Sequence, residues 1–391
     1  MKEGWEIKKL VELSNNKDAI VSGPFGSNLK VSDYKDVGVP IFRLQNVGKG
    51  KFINKDIKYI SDEKAEELKY HSFKAGDLVL AKLGIPIGKT CVVPDEFSSG
   101  IIVADVVRLR LDKNVVDYKF LEYFLNSDEA VAQLTGNISG ATRPRVNLSD
   151  VRNIEISLPP LPEQQRIVSI LDQAFTAIDK GKANAEQNLQ NAKELFESYL
   201  QGVFEKKGDG WEEQLLRNSF KLKSGDNLTA KKMVEGDFPV FGGNGIAGYH
   251  IEFNLSGTNV IVGRVGALCG NVRHINENIW LTDNAFKIVD FKYDFDHSFL
   301  TYLLNYKDLR SYARQAAQPV ISNSSLQDVV LNFPKSKEEQ QTIVRQLNAL
   351  RAETQKLEAV YQKKMDDLEE LKKSILQKAF AGELTGKEVK I

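Results

Sequence analysis

Cysteine is almost absent. Cys91 and Cys269 are the only two in the chain, too few for a disulfide framework or a thiolate zinc site. A reducing, cytoplasmic setting is expected. Histidine is nearly as scarce: His71, His250, His274 and His297 lie far apart, and no His-Glu-x-x-His occurs, so no metalloprotease centre is expected. No apolar run approaches the length of a membrane span, and the opening MKEGWEIKKLVEL has no apolar core followed by a cleavage site. Excess charge is absent too. Lys plus Arg and Asp plus Glu both number 53, which argues against coating nucleic acid by bulk charge but leaves local basic patches open.

Motifs for catalysis are also missing. Gly88-Lys89-Thr90 resembles the end of a phosphate-binding loop, but the glycine required five positions earlier is Leu83, so the cradle of backbone amides is lost. There is no glycine-rich turn for a nucleotide cofactor and no Asn-Pro-Pro-Tyr-type methyltransferase motif. Asp95, Asp117 and Lys119 faintly resemble a magnesium nuclease site. Asp117, however, stands where a helix should begin, and capping suits it better. Neither a metal nor a cofactor is expected in this chain, and it reads as a binder.

What the chain does have is a repeat, the feature that decides the architecture. Glu163-Gln164-Gln165-x-Ile167-Val168 returns as Glu339-Gln340-Gln341-x-Ile343-Val344, an offset of 339 − 163 = 176, and Phe204 returns as Phe380 at the same offset. Each copy reads as one long helix, with prolines at 159, 160, 162 and 334 ahead of it and none inside. A heptad seam is expected through Ile167, Leu171, Gly181 and Asn188 in the first copy, and through Leu350, Leu357, Tyr361 and Leu368 in the second. The middle of the first seam is small where the second is large. The two helices are therefore expected to pair antiparallel, with facing positions summing to 542, which puts Gly181 against Tyr361. On volume alone, the second half should pair with a copy of itself more tightly than the first.

A domain precedes each helix. Gly4-Trp5-Glu6 recurs as Gly210-Trp211-Glu212, Pro40-Ile41-Phe42 as Pro239-Val240-Phe241, and Phe120-Leu121-x-Tyr123 as Phe299-Leu300-x-Tyr302. Short β segments with frequent turns and one helix give an α+β domain. The expected division is a first domain over 1–157, a helix over 158–205, a second domain over 206–333, a helix over 334–382 and a tail over 383–391. Each domain helix is expected to be continuous, over Tyr118–Thr135 and His297–Gln315.

Candidate binding residues lie in the loops. Ser27, Asn28 and Lys30 belong to a glycine-rich turn. Arg43, Gln45, Asn46, Lys49 and Lys51 share one loop, and Lys82 and Arg264 end matching strands. Arg143 and Arg145 flank Pro144, Asn244 lies among glycines, and Arg273 follows in the second domain. Arg, Gln and Asn have the geometry to grip base edges in the major groove, while Lys suits phosphates. Two other classes remain open: a scaffold whose repeated domains bind protein, and an enzyme built on Asp95, Asp117 and Lys119.

The segment Leu158-Pro159-Pro160-Leu161-Pro162-Glu163-Gln164-Gln165-Arg166-Ile167-Val168, its partner Glu339–Val344, and the turns at Gly23–Lys30 and Pro239–Gly245 resemble the DNA-specificity subunit of Type I restriction–modification systems. The likeness runs over essentially the whole chain. It departs at Lys335-Ser336-Lys337, which replaces the proline–leucine run. The resemblance implies two target-recognition domains on a helical spacer, each reading half of a bipartite double-stranded DNA site. It also implies two modification subunits holding S-adenosylmethionine and methylating adenine, a motor and restriction subunit, and no activity of this chain alone.

Overall fold

The computed structural model describes residues 2–136, 145–314 and 318–385. It divides into two compact units, Met1–Asn184 with Lys364–Ile391, and Ala185–Lys363. Each unit holds one domain, the start of one long helix and the end of the other.

The units repeat one topology. In the first, strand Glu6–Lys9 pairs antiparallel with Glu155–Leu158; in the second, Trp211–Leu215 pairs likewise with Val330–Pro334. Each Gly-Trp-Glu segment thus zips onto the strand leading into its long helix. The first unit continues with a four-stranded sheet of Ile20–Ser22, Val106–Leu109, Leu78–Ala81 and Thr90–Val92. Its counterpart in the second is Lys221–Ser224, Ala285–Val289, Asn259–Gly263 and Val272–Ile275. Leu78–Ala81 is buried at every position, which is why it reads as an unbroken apolar run. A further sheet is built on Val39–Phe42 in the first unit and on Phe238–Gly242 in the second.

The domain helices are shorter than expected. Tyr118–Thr135 splits into Tyr118–Leu125 and Asp128–Thr135. Asn126 turns the chain between them: its amide donates to Thr90 O and Glu122 O, both at 2.8 Å, and Ser127 caps the second piece. In the other unit His297–Tyr306 ends before Asp308, which adopts φ 45°, and a 3-10 turn at Leu309–Tyr312 follows. Gln315 lies outside the described residues. Asp117 is a cap as expected, accepting from the backbone N–H groups of Lys119 and Phe120 at 2.9 Å. Lys119 is held by Glu122, so Asp117 and Lys119 are both taken up in structural contacts.

The long helices are Leu161–Glu205 and Lys337–Phe380, each close to ~66 Å at 1.5 Å per residue. The repeated Gln explains how they start. Gln164 is fully buried, donating to Pro159 O and Val115 O and accepting from Asp117 N at 2.7 Å. Gln340 does the same with Pro334 O and Asp296 N. One amide thereby ties helix start, incoming strand and domain-helix cap together. The preceding Glu339 accepts from Trp211 Nε1 at 3.0 Å, joining the two repeated motifs.

The two helices pack along one another, antiparallel in each unit. In the first unit Lys182 pairs with Glu369 and Asp179 with Lys372; in the second, Tyr199 OH donates to Gln346. The register corrects the expectation. A Cβ on Gly181 would meet Leu368 at 3.4 Å, so facing positions sum to 181 + 368 = 549, one heptad from 542. Seven-residue spacing holds over much of each helix, in the covered positions Leu171, Ile178, Ala185 and Ala192 and in Leu347, Thr354, Tyr361, Leu368 and Ile375. Asn188, expected in the seam, is exposed, and Leu357 is 40% exposed.

Candidate nucleic-acid interface

Two matching sites emerge, one in each unit, at the ends of the equivalent strands Leu78–Ala81 and Asn259–Gly263. The Lys82 N–H donates to Asp105 O at 2.8 Å, and Lys82 O accepts from Val146 N at 3.0 Å. The Arg264 N–H donates to Asn284 O, and Arg264 O accepts from Ile321 N, both at 2.9 Å. The two cations therefore occupy the same backbone position. Their side chains also turn to equivalent serines. Lys82 Nζ donates to Ser22 Oγ at 2.6 Å; Arg264 Nη1 reaches Ser224 Oγ at 3.5 Å and Asp283 O at 3.3 Å.

In the first unit Lys82 borders a cleft of about 1080 Å³ that Asn28 and Arg145 also line. Lys82 is only 8% exposed. Burial lowers its pKa, the nearby Arg145 lowers it further, and Asp105 opposes them. Arg145 itself pairs with Asp105 at the surface. Phe25, at the rim beside Asn28, is 82% exposed. It belongs to the Gly-Pro-Phe-Gly turn, and an isolated aromatic gives no stacking pattern by which sequence could single it out. Ser27 and Lys30 are exposed on the same turn. Arg143 lies outside the described residues.

In the second unit the Arg264 guanidinium lies 5.3 Å over the ring of Phe286, and its Nε is buried without a partner. Asn244 and Arg273 border a cavity of about 580 Å³. The Asn244 carbonyl oxygen accepts from Leu268 N at 2.9 Å, and the Arg273 guanidinium lies 3.2 Å from where a Cβ on Gly245 would fall. Gly245 has φ 105°, so a side chain there would be strained and would displace Arg273.

The loop over 43–51 divides into three. Asn46 is fully buried: its Oδ1 accepts from Arg43 N and its Nδ2 donates to Ile53 O and Lys55 O, all at 3.0 Å. It holds the loop together and has no face for a base, which corrects its expected role. Arg43 pairs with Asp56 at 2.8 Å, and Gln45 reaches the same carboxylate at 3.3 Å. Lys58 and Arg43 hold the Asp56 carboxyl at a pKa of about 2. Lys49 and Lys51 face elsewhere, into a cleft of about 480 Å³ shared with Lys119, Lys372 and Lys373 beside the long helices. Among the described residues no cluster of His, Cys, Asp or Glu could hold a metal ion, and no helix is long and apolar enough to cross a membrane.

Residues 2–187 and 208–365 match the family described as Type I restriction modification DNA specificity domain. The chain belongs to this family of specificity subunits. Its members are the non-catalytic subunits of their systems. Relatives include the EcoprrI specificity subunit of Escherichia coli, 30% identical over 44% of this chain and 44% of that one. The chain also matches the putative MjaX specificity subunit of Methanocaldococcus jannaschii, 24% identical over 98% and 94%. The matched stretches span less than half of the EcoprrI and MjaVIII subunits, 44% and 46% of their lengths. In fold, the specificity subunit is similar to a chain of a solved type I R-M system (TM-score 0.79, 20% identity, 98% of this chain and 99% of that one). It is also similar to the S subunit of Thermoanaerobacter tengcongensis (TM-score 0.66, 19% identity, 98% of both).

Proposed function

We propose that this specificity subunit reads a split double-stranded DNA target, with the domain over 1–157 on one half-site and the domain over 206–333 on the other. The observation that carries this reading is the cation–serine pair, Lys82 with Ser22 and Arg264 with Ser224, kept at one backbone position in both domains. A cation held at the same place in each domain suits a phosphate, and the polar loops around it suit base edges. Asn28 and Arg145 share its cleft in the first domain; Ser27, Lys30 and Gln45 in that domain, and Asn244 and Arg273 in the second, would add further contacts. An arriving phosphate would offset the burial that lowers the Lys82 pKa.

The long helices would set the spacing and bind two modification subunits. Those subunits would hold S-adenosylmethionine and methylate adenine, and motor and restriction subunits would complete a cytoplasmic assembly. The exposed Leu357 suits an apolar contact with such a partner. The test is DNA affinity of the assembled complex against salt. A steep fall is expected, with Lys82→Ala and Arg264→Ala each reducing the log–log slope by roughly 0.9 for every phosphate no longer neutralised. Salt-independent binding would point instead to a protein scaffold.

A further inference from the structure

The repeat makes the helix pair symmetrical in outline, and its ends are alike. Phe380 packs against Phe120 and Phe124 in the first unit, and Phe204 against Phe299 and Tyr306 in the second. This aromatic packing does not tell one helix from the other.

The layers between the ends differ. In the first unit, the first helix contributes Phe175 and the second sets Lys372 over its ring at 4.8 Å. At the equivalent place in the second unit (175 + 176 = 351 and 372 − 176 = 196), the second helix contributes Arg351 and the first contributes Phe196, 4.9 Å apart. The cation–aromatic pair is kept, and the helix that starts in each unit changes from aromatic to cation. The first helix is thus aromatic both times and the second cationic both times. Charge follows the same rule. Lys182 pairs with Glu369, and the equivalent positions carry Glu358 and Lys193. So does volume: Gly181 lies against Leu368, and the equivalents are Leu357 and Ala192.

We infer that the two helices carry a matched code that selects the other helix of the chain and rejects a second copy of the same helix. Two first helices paired about a two-fold axis would set Lys182 against Lys193 and leave Gly181 facing Ala192. Two second helices would set Glu358 against Glu369 and Arg351 against Lys372. Both self-pairings put like charges face to face, which disfavours them in addition to any difference in volume. The ranking expected from volume alone, with the second half dimerising best, then carries a charge penalty on both self-pairings. The consequence is a chain whose halves find each other and do not trade partners with a neighbouring copy.

The test keeps the whole folded protein. A specific protease site is placed in the exposed linker at Lys206–Gly208, and two full-length preparations with different N-terminal tags are cleaved, mixed and incubated. Each tag is expected to recover the C-terminal half and never the other tag. Recovery of both tags together, of paired C-terminal halves, or of halves that part on cleavage would overturn the inference. A second arm uses the uncut chain. Lys182→Glu with Lys193→Glu should lower the unfolding midpoint by about 2–4 °C at low salt, and adding Glu358→Lys with Glu369→Lys should restore it. Failure of the fourfold variant to recover, or no loss in the double variant, would count against the code.

Discussion

At the scale of single residues, similar side chains in one loop do different work. Asn46 and Gln45 are adjacent, yet only the first is buried. Asn46→Ala removes three hydrogen bonds and strands two carbonyls and an N–H, so a stability loss of about 2–3 kcal/mol is expected; Gln45→Ala should change stability by less than ~0.5 kcal/mol. Denaturant midpoints of the two variants check this, and equal effects would contradict the burial argument. Asp56 gives a second prediction at this scale. Its folded pKa is depressed to about 2, so its pairing is complete above the unfolded value near ~3.9 and is lost as pH falls through about 2. A carboxyl titration by NMR should place its midpoint near 2, and an ordinary midpoint would mean that Lys58 and Arg43 do not hold the carboxylate.

At the scale of elements, the helix pair separates what is legible in the sequence from what is not. The repeat, the proline-led helix starts and the antiparallel pairing can all be read from residues 158–204 and 334–380. The meaning of Glu-Gln-Gln cannot, because Gln164 and Gln340 act on Asp117 and Asp296, about forty-five residues away in sequence. A heptad template leaves the register open, because a shift by one heptad keeps the apolar residues on a plausible face. Lys82 and Arg264 are legible as matching strand ends, whereas their serines, far away in sequence, are not. The register is open to a direct check. Cysteines at 181 and 368 should cross-link readily under oxidation, and cysteines at 181 and 361 should not. Gly181→Leu should cost roughly 1–3 kcal/mol by crowding Leu368. Gln164→Ala, which breaks a fully buried amide clamp, should cost a similar ~2–3 kcal/mol.

At the scale of the whole molecule, the central claim is division of labour: two domains of one topology, each reading its own half of one target. On the proposed reading the cation–serine pair would give both domains a common grip, and the difference between half-sites would come from the loops, with Asn28 and Arg145 in one domain and Asn244 and Arg273 in the other. The measurement that tests this most directly is methylation-site mapping of genomic DNA from cells carrying the parent chain or a chain whose residues 1–157 have been exchanged for the corresponding domain of a relative. The account predicts a bipartite methylated motif in which one half changes and the other half keeps its sequence. A motif changed in both halves, or in neither, would contradict it.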